Sequence, residues 1–210
     1  MISTRLKKKG ILAKLLEECI RVLIKSECNN IDKLKIDISA SSIQIIKGIV
    51  PKINIIAEDI NYKDLMFDKI ELESNEIKII LEIRNKVLNF KNNSIIQLKI
   101  SLSEYSLRTI LSSNSWSWIS NLISKKILNE ASIEDIKIKT DHILIKTSKD
   151  NNTIREVEKI NINTKKGKIY LENKSYNKHM IIPIEDKVCI EKINIRNNSI
   201  IIFLNSPISF

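Results

Sequence analysis

Two histidines, three cysteines and a surplus of carboxylates are the groups that chemistry could use in this chain. His142 and His179 stand alone: neither lies in H-E-x-x-H, and neither has a cysteine nearby in sequence, so no zinc set is spelled out. Cys19, Cys28 and Cys189 form no C-x-x-C pair. An odd count of cysteines suits free thiols in a reducing compartment better than a disulfide framework. Most carboxylates alternate with lysines, as in Lys69-Ile70-Glu71-Leu72-Glu73. That is the pattern of a solvated sheet face rather than of an acid–base pair. Glycine is too scarce for phosphate chemistry. A Walker loop, a dinucleotide fingerprint and a G-x-S-x-G elbow each need glycines at fixed spacing, and Gly10, Gly48 and Gly167 are too scattered to build one. The chain therefore reads as a non-enzyme, with no catalytic residue, no metal ligands and no cofactor.

The net charge of +10 on 210 residues is informative mainly in its placement. Isoleucine, lysine and asparagine share A/T-rich codons, so part of the basic bias belongs to genome composition. Residues 1–25 hold Arg5, Lys7, Lys8, Lys9, Lys14, Arg21 and Lys25 against Glu17 and Glu18, which is half of the formal charge. Residues 26–124 balance to zero, and residues 125–170 carry +4. A nucleic-acid partner would explain the pI near 9.4. Arginine, the preferred phosphate and base reader, is scarce, however, and the 5% of aromatic residues do not interleave with lysines as a stacking platform would. No specific nucleic acid is expected. A basic start leading into an amphipathic helix fits an anionic membrane surface better, with Arg5, Lys7, Lys8 and Lys9 as electrostatic contacts.

Those contacts need elements to carry them. From Gly10 to Glu27 the apolar residues recur at helical spacing, with Lys14, Glu17, Glu18, Arg21 and Lys25 opposite. The same charges interrupt any signal-peptide core, and no apolar run approaches the ~20 residues of a spanning helix. The expected location is cytoplasmic or peripheral to a membrane. Period-2 alternation then takes over across residues 31–102, with strands expected near 34–40, 42–46, 52–57, 67–73, 76–83 and 94–102. Ser74-Asn75 and Asn92-Asn93 are the expected turns. A second helical region spans residues 103–128, with Ser103 as its N-cap. Strands return over residues 132–204, with turns at Lys149–Asn152, Lys165–Gly167 and Asn197-Asn198. The composite is one α+β domain of about a dozen mostly antiparallel strands and two helical regions, after a basic start at residues 1–9.

Apolar residues on these helices are the candidate ligand contacts. They are Leu12, Leu15, Leu16, Cys19 and Leu23 on the first, and Trp116, Trp118, Ile119 and Leu122 on the second. Stretches such as Ile79-Ile80-Leu81 and Ile200–Phe203 are apolar on both faces, so each face needs cover. Helices that leave a gap would open a groove suited to acyl chains; helices that close the core would make the same residues ordinary packing.

The stretch from Gly48 to Ile79 carries Gly-x-hydrophobic-Pro, a strand, then Tyr-x-x-Leu into the next strand, marked by Gly48, Pro51, Tyr62 and Leu65. Together with Leu98–Leu111 and Ile182–Ile195, it resembles the LmeA-like phospholipid-binding family, especially its cyanobacterial branch. The resemblance implies a long, curved, mostly antiparallel sheet wrapped on the N-terminal amphipathic helix. It also implies non-catalytic binding of phospholipid or another amphiphile, and supplies no catalytic residues. A basic nucleic-acid-binding protein or a structural interaction module is the alternative.

Overall fold

The computed structural model describes residues 10–82, 87–90, 94–149 and 154–207. Helix α1 runs from Ile11 to Glu27, and strand β1 follows at Asn30–Ser39. Ser42–Ile46, expected as a strand, is instead a short helix, α2. A local capping box decides this. The Ser41 hydroxyl accepts from Gln44 N at 3.3 Å, while the Gln44 side chain accepts from Ser41 N at 2.8 Å. Gly48 then turns the chain at φ +72°, so close to β3 that a Cβ would sit 2.5 Å from the Ile79 carbonyl oxygen.

Strands β2 (Ile49–Tyr62) and β3 (Leu65–Glu82) form a long hairpin. Ser74-Asn75, expected as a turn, lies inside β3, because β2 continues alongside and pairs with both residues. The Ser74 hydroxyl, in a residue only 2% exposed, donates to Ile95 O at 2.9 Å. The hairpin closes through Lys63 and Asp64, both left-handed at φ 50° and 67°, as a type I′ turn demands. The turns Lys166-Gly167 and Asn197-Asn198 have the same signature. Strands β4 (Val87–Phe90) and β5 (Ile95–Ser103) complete the first run, and α3 (Glu104–Ser112) starts at Ser103, whose side chain accepts from Ser106 N. A 3-10 turn at Asn114–Trp116 leads into α4 (Ser117–Ile127). Beyond it lie β6 (Ser132–Ile138), β7 (Ile143–Lys149), β8 (Ile154–Lys165), β9 (Lys168–Asn173), β10 (Lys178–Ile181), β11 (Cys189–Arg196) and β12 (Ser199–Pro207). Arg5, Lys7, Lys8, Lys9 and the expected turn residues Asn92, Asn93, Asn151 and Asn152 lie outside the described residues.

The strands make two antiparallel sheets, not the single long sheet wrapped on an N-terminal helix that the sequence led us to expect. The first has the order β1-β2-β3-β5-β12-β11, with β4 on the end of β3; the second has the order β10-β9-β8-β7-β6. The break follows from the helices. After α3 and α4, five successive strands pair only with one another, and β11 and β12 then return to the free side of β5. Pro183, which has no N–H to give a ladder, lies just past β10 where the chain leaves the second sheet. Two cores result. Ala13, Leu16 and Ile20 of α1 pack with Ile36, Ile38, Ile53, Ile77 and Ile79 at one end of the first sheet. At the other end, the second sheet and helices α3 and α4 pack over Leu102, Ile190, Ile200, Ile202 and Leu204.

Helices α1 and α3 are fastened by the same device. Glu17 and Arg21, four residues apart on α1, bind the outer edge of β1: Ile38 N donates to Glu17 Oε1 at 3.0 Å, and Arg21 Nη1 donates to Leu34 O at 2.9 Å. Glu104 and Arg108, four apart on α3, do the same to β6. Ile138 N donates to Glu104 Oε1 at 2.7 Å, and Arg108 Nε and Nη2 donate to Ile136 O at 3.1 and 2.8 Å. Both clamps satisfy backbone groups that an exposed sheet edge would leave open to another chain.

Candidate half-covered apolar band

The clamp on β1 fixes which way α1 faces. Glu17 and Arg21 mark its outer flank, and Ala13, Leu16 and Ile20 point into the core at 1%, 0% and 5% exposure. At 100° per residue, Leu12, Leu15, Cys19 and Leu23 fall on the opposite flank, which looks inward across the sheet. That flank is poorly covered. Leu12, Leu15 and Cys19 are half-buried, and Leu23 is 42% exposed.

Cys19 lies midway between the two clamp residues, and Ile36 midway between their partners. The strand register continues from Ile36 through Ile55, Leu72, Leu98 and Leu204 to Ile190, all on one face. Ile36, Leu204 and Ile190 are buried under the two cores, but Ile55, Leu72 and Leu98 are only half-buried. On β2, β3 and β5 this row is an apolar floor whose sides meet both roofs: Ile55 packs against the first core and Leu98 against the second, with Leu72 between them. Three strands at about 4.8 Å spacing make a floor about 10 Å wide, enough for an acyl chain.

The sequence-derived candidates divide across this geometry. Leu16 is core. Leu12, Leu15, Cys19 and Leu23 flank the band. The tryptophan set belongs elsewhere: Trp116, Ile119 and Leu122 pack against the second core, while Trp118 is 42% exposed. Trp116 Nε1 donates to Lys63 O at 2.8 Å, and its ring centroid lies 6.1 Å from that of Trp118. The two sets approach each other only through the β2–β3 turn, where Lys63 Nζ is 3.4 Å from Glu27 Oε2. Ile55, Leu72 and Leu98 were not singled out by the sequence, although their period-2 placement signals an apolar face.

The opposite face of the same strands is polar. Lys35, Asp37, Asn54, Ile56, Glu71, Gln97, Lys99 and Phe203 line an open trough of about 670 Å³, which also reaches Ile55, Leu72, Leu98 and Leu204. Its charges are held in a ladder. Glu71 binds Lys69 at 2.5 Å and Lys99 at 2.6 Å, Glu73 binds Lys52 at 2.6 Å, and Glu58 binds Lys33 at 2.9 Å. Hydrogen bonds from Lys69 and Lys99 hold the Glu71 carboxyl below its ordinary range. The Glu71 carboxylate, so paired, is a poor proton acceptor at neutral pH.

Reactive groups are equally quiet. His142 Nδ1 lies 2.5 Å from Oδ1 of the exposed Asp141, and His179 stacks on Tyr170 at 5.4 Å. Burial and the charge of Glu27 push the Cys28 thiol up, away from thiolate. The densest buried polar cluster is architectural. Asn173, fully buried, donates to Ile127 O at the end of α4 and to Glu158 Oε2 at 3.1 and 3.0 Å. Hydrogen bonds to Glu158 and Glu156, with burial, raise the Tyr176 hydroxyl and keep it protonated. Among the described residues no group of three or more His, Cys, Asp or Glu side chains is placed to hold a metal ion, and no helix is long and apolar enough to cross a bilayer. No family model, no curated protein and no solved structure matches this chain.

Proposed function

We propose that the protein binds an amphiphile, its acyl chain lying along the floor of Ile55, Leu72 and Leu98 beside the inward flank of α1, without catalysis. The observation that carries this reading is the half-burial of those three residues in a sheet row whose other members are at most 9% exposed. An apolar row covered at both ends and open at its centre is where an apolar ligand gains most from leaving water. Resemblance to the LmeA-like phospholipid-binding family supports the same ligand class. On the trough side of the sheet an acyl chain would have to desolvate the ion pairs of Glu71 and Glu73.

Titration with a fluorescent fatty acid tests the reading. The protein should bind it saturably, and Leu72→Trp, which fills the band, should weaken binding at least tenfold while leaving the thermal midpoint within about 2 °C. Absence of saturable binding, or equal binding by the variant, would overturn the proposal.

A further inference from the structure

A second apolar surface lies at the end of the molecule where α1 begins. Ile11, Ile43 and Ile46 are 84%, 67% and 73% exposed. The backbone brings them to one place. A Cβ on Gly10 would sit 2.8 Å from Ser42 Oγ, joining the start of α1 to α2. Ile49, Lys78 and Ile80 alternate with the buried Val50, Ile77 and Ile79 and so leave the other face of the sheet. Helix α2 presents Ile43 and Ile46 three residues apart, while Ile45, 2% exposed, anchors it in the core below. The capping box at Ser41 and Gln44 holds this single turn in shape.

The rim of the patch identifies its partner. Lys14 and Lys47 are exposed beside it, and residues 10–16 and 40–52 contain no Asp or Glu. A two-fold contact with a second copy would set these lysines against one another at a cost. A nucleic acid would meet aliphatic side chains where base stacking needs aromatic or guanidinium planes. We infer that this isoleucine-tipped, lysine-flanked end docks on an anionic lipid surface, with Ile43 and Ile46 entering the interface and Lys14 and Lys47 facing the headgroups. The surface is distinct from the acyl band and adds to that reading the membrane from which an amphiphile would come.

Sedimentation of the full chain with vesicles of phosphatidylcholine and phosphatidylglycerol, against phosphatidylcholine alone, tests the inference. The protein should pellet with the anionic vesicles and stay free of the neutral ones. Ile43→Ser with Ile46→Ser should cut partitioning at least tenfold. Lys14→Glu with Lys47→Glu should cut it further, since each lysine near an anionic surface is worth about fivefold. All four positions are exposed, so thermal midpoints should hold. Undiminished pelleting by both variants, or equal pelleting with neutral vesicles, would overturn the inference. So would a dimer in sedimentation velocity that the isoleucine variant dissolves, because the face would then be a self-contact. Leu72→Trp should bind vesicles like the parent; failure of the fatty-acid titration therefore leaves the docking result intact, and the converse also holds.

Discussion

Adjacent leucines on α1 give the sharpest test of how the molecule divides core from ligand surface. Leu16 is 0% exposed among Ile36, Ile38, Ile53 and Ile77, whereas Leu15 is half-buried on the flank facing the open band. Shortening Leu16 to alanine removes three buried carbons, about 2.4 kcal/mol at ~0.8 kcal/mol each. The cavity left in a closed site brings the cost to ~3 kcal/mol. In a chain of this size each kcal/mol moves the thermal midpoint by about 2–4 °C, so Leu16→Ala should lower it by roughly 6–12 °C. Leu15→Ala leaves no closed cavity and forfeits only part of the burial, so its cost should be ~1 kcal/mol, or roughly 2–4 °C. Ligand binding should order the pair the other way. Leu15→Ala should weaken the fluorescent fatty acid severalfold, and Leu16→Ala should leave its affinity unchanged at temperatures where the variant is folded. Thermal melts paired with titrations read both quantities. Equal destabilisation by the two substitutions would mean that both leucines are core, and the inward flank of α1 would lose its role.

Three further outcomes follow from other parts of the structure. Arg108→Met keeps the aliphatic stem but strips two charged hydrogen bonds from Ile136 O; with the side chain 44% exposed, the loss should be about 1–2 kcal/mol in urea unfolding. Faster amide exchange at Ile138 should accompany it, and unchanged exchange would count against the clamp. Lys166→Asn turns a left-handed Lys-Gly pair into the favoured Asn-Gly of a type I′ turn and should raise stability by ~0.5 kcal/mol, with a fall in the thermal midpoint as the contrary result. Glu71 is held below its ordinary 4.5 by hydrogen bonds from Lys69 and Lys99. Its contribution is present above the unfolded value and lost as pH falls through the folded one, so Glu71→Gln should flatten the loss of stability below about pH 4.5; an unchanged acid limb would contradict this.

Residue patterns revealed individual elements more readily than their assembly. Alternation marks β5, expected over residues 94–102 and found at Ile95–Ser103, because each strand position repeats a local choice between core and water. The same local signal misleads at Ser42–Ile46. Its isoleucines suit either a strand or a helical turn, and the Ser41–Gln44 capping box settles the matter through two hydrogen bonds. The edge clamps are legible only in three dimensions. Glu17 with Arg21, and Glu104 with Arg108, look like ordinary charged pairs on a solvated helix face until the strand beside them is known. The band escapes for a related reason: the half-burial of Leu72 depends on which strands each roof covers, and no periodicity encodes that.

The two clamps and the open band are consequences of one arrangement. Each Glu-Arg pair ties its helix to the outermost strand of a sheet, α1 to β1 and α3 to β6, so each helix is held at a margin. A helix with its side chains is about 10 Å across, whereas six strands at about 4.8 Å spacing extend well over 20 Å. With α1 held over one margin of the first sheet, and α3 reaching from β6 onto β5 and β3, the two roofs approach the central strands from opposite sides. Ile55, Leu72 and Leu98 sit there, in a row where both neighbouring regions are closed. A longer side chain at Leu12 or Cys19 would close the gap from the α1 side without disturbing Leu16. Cys19→Phe should therefore imitate an occupied site: fatty-acid binding should fall while the thermal midpoint rises or stays level. A marked loss of stability would instead show that the flank is already packed, and that the space inferred between α1 and the floor does not exist.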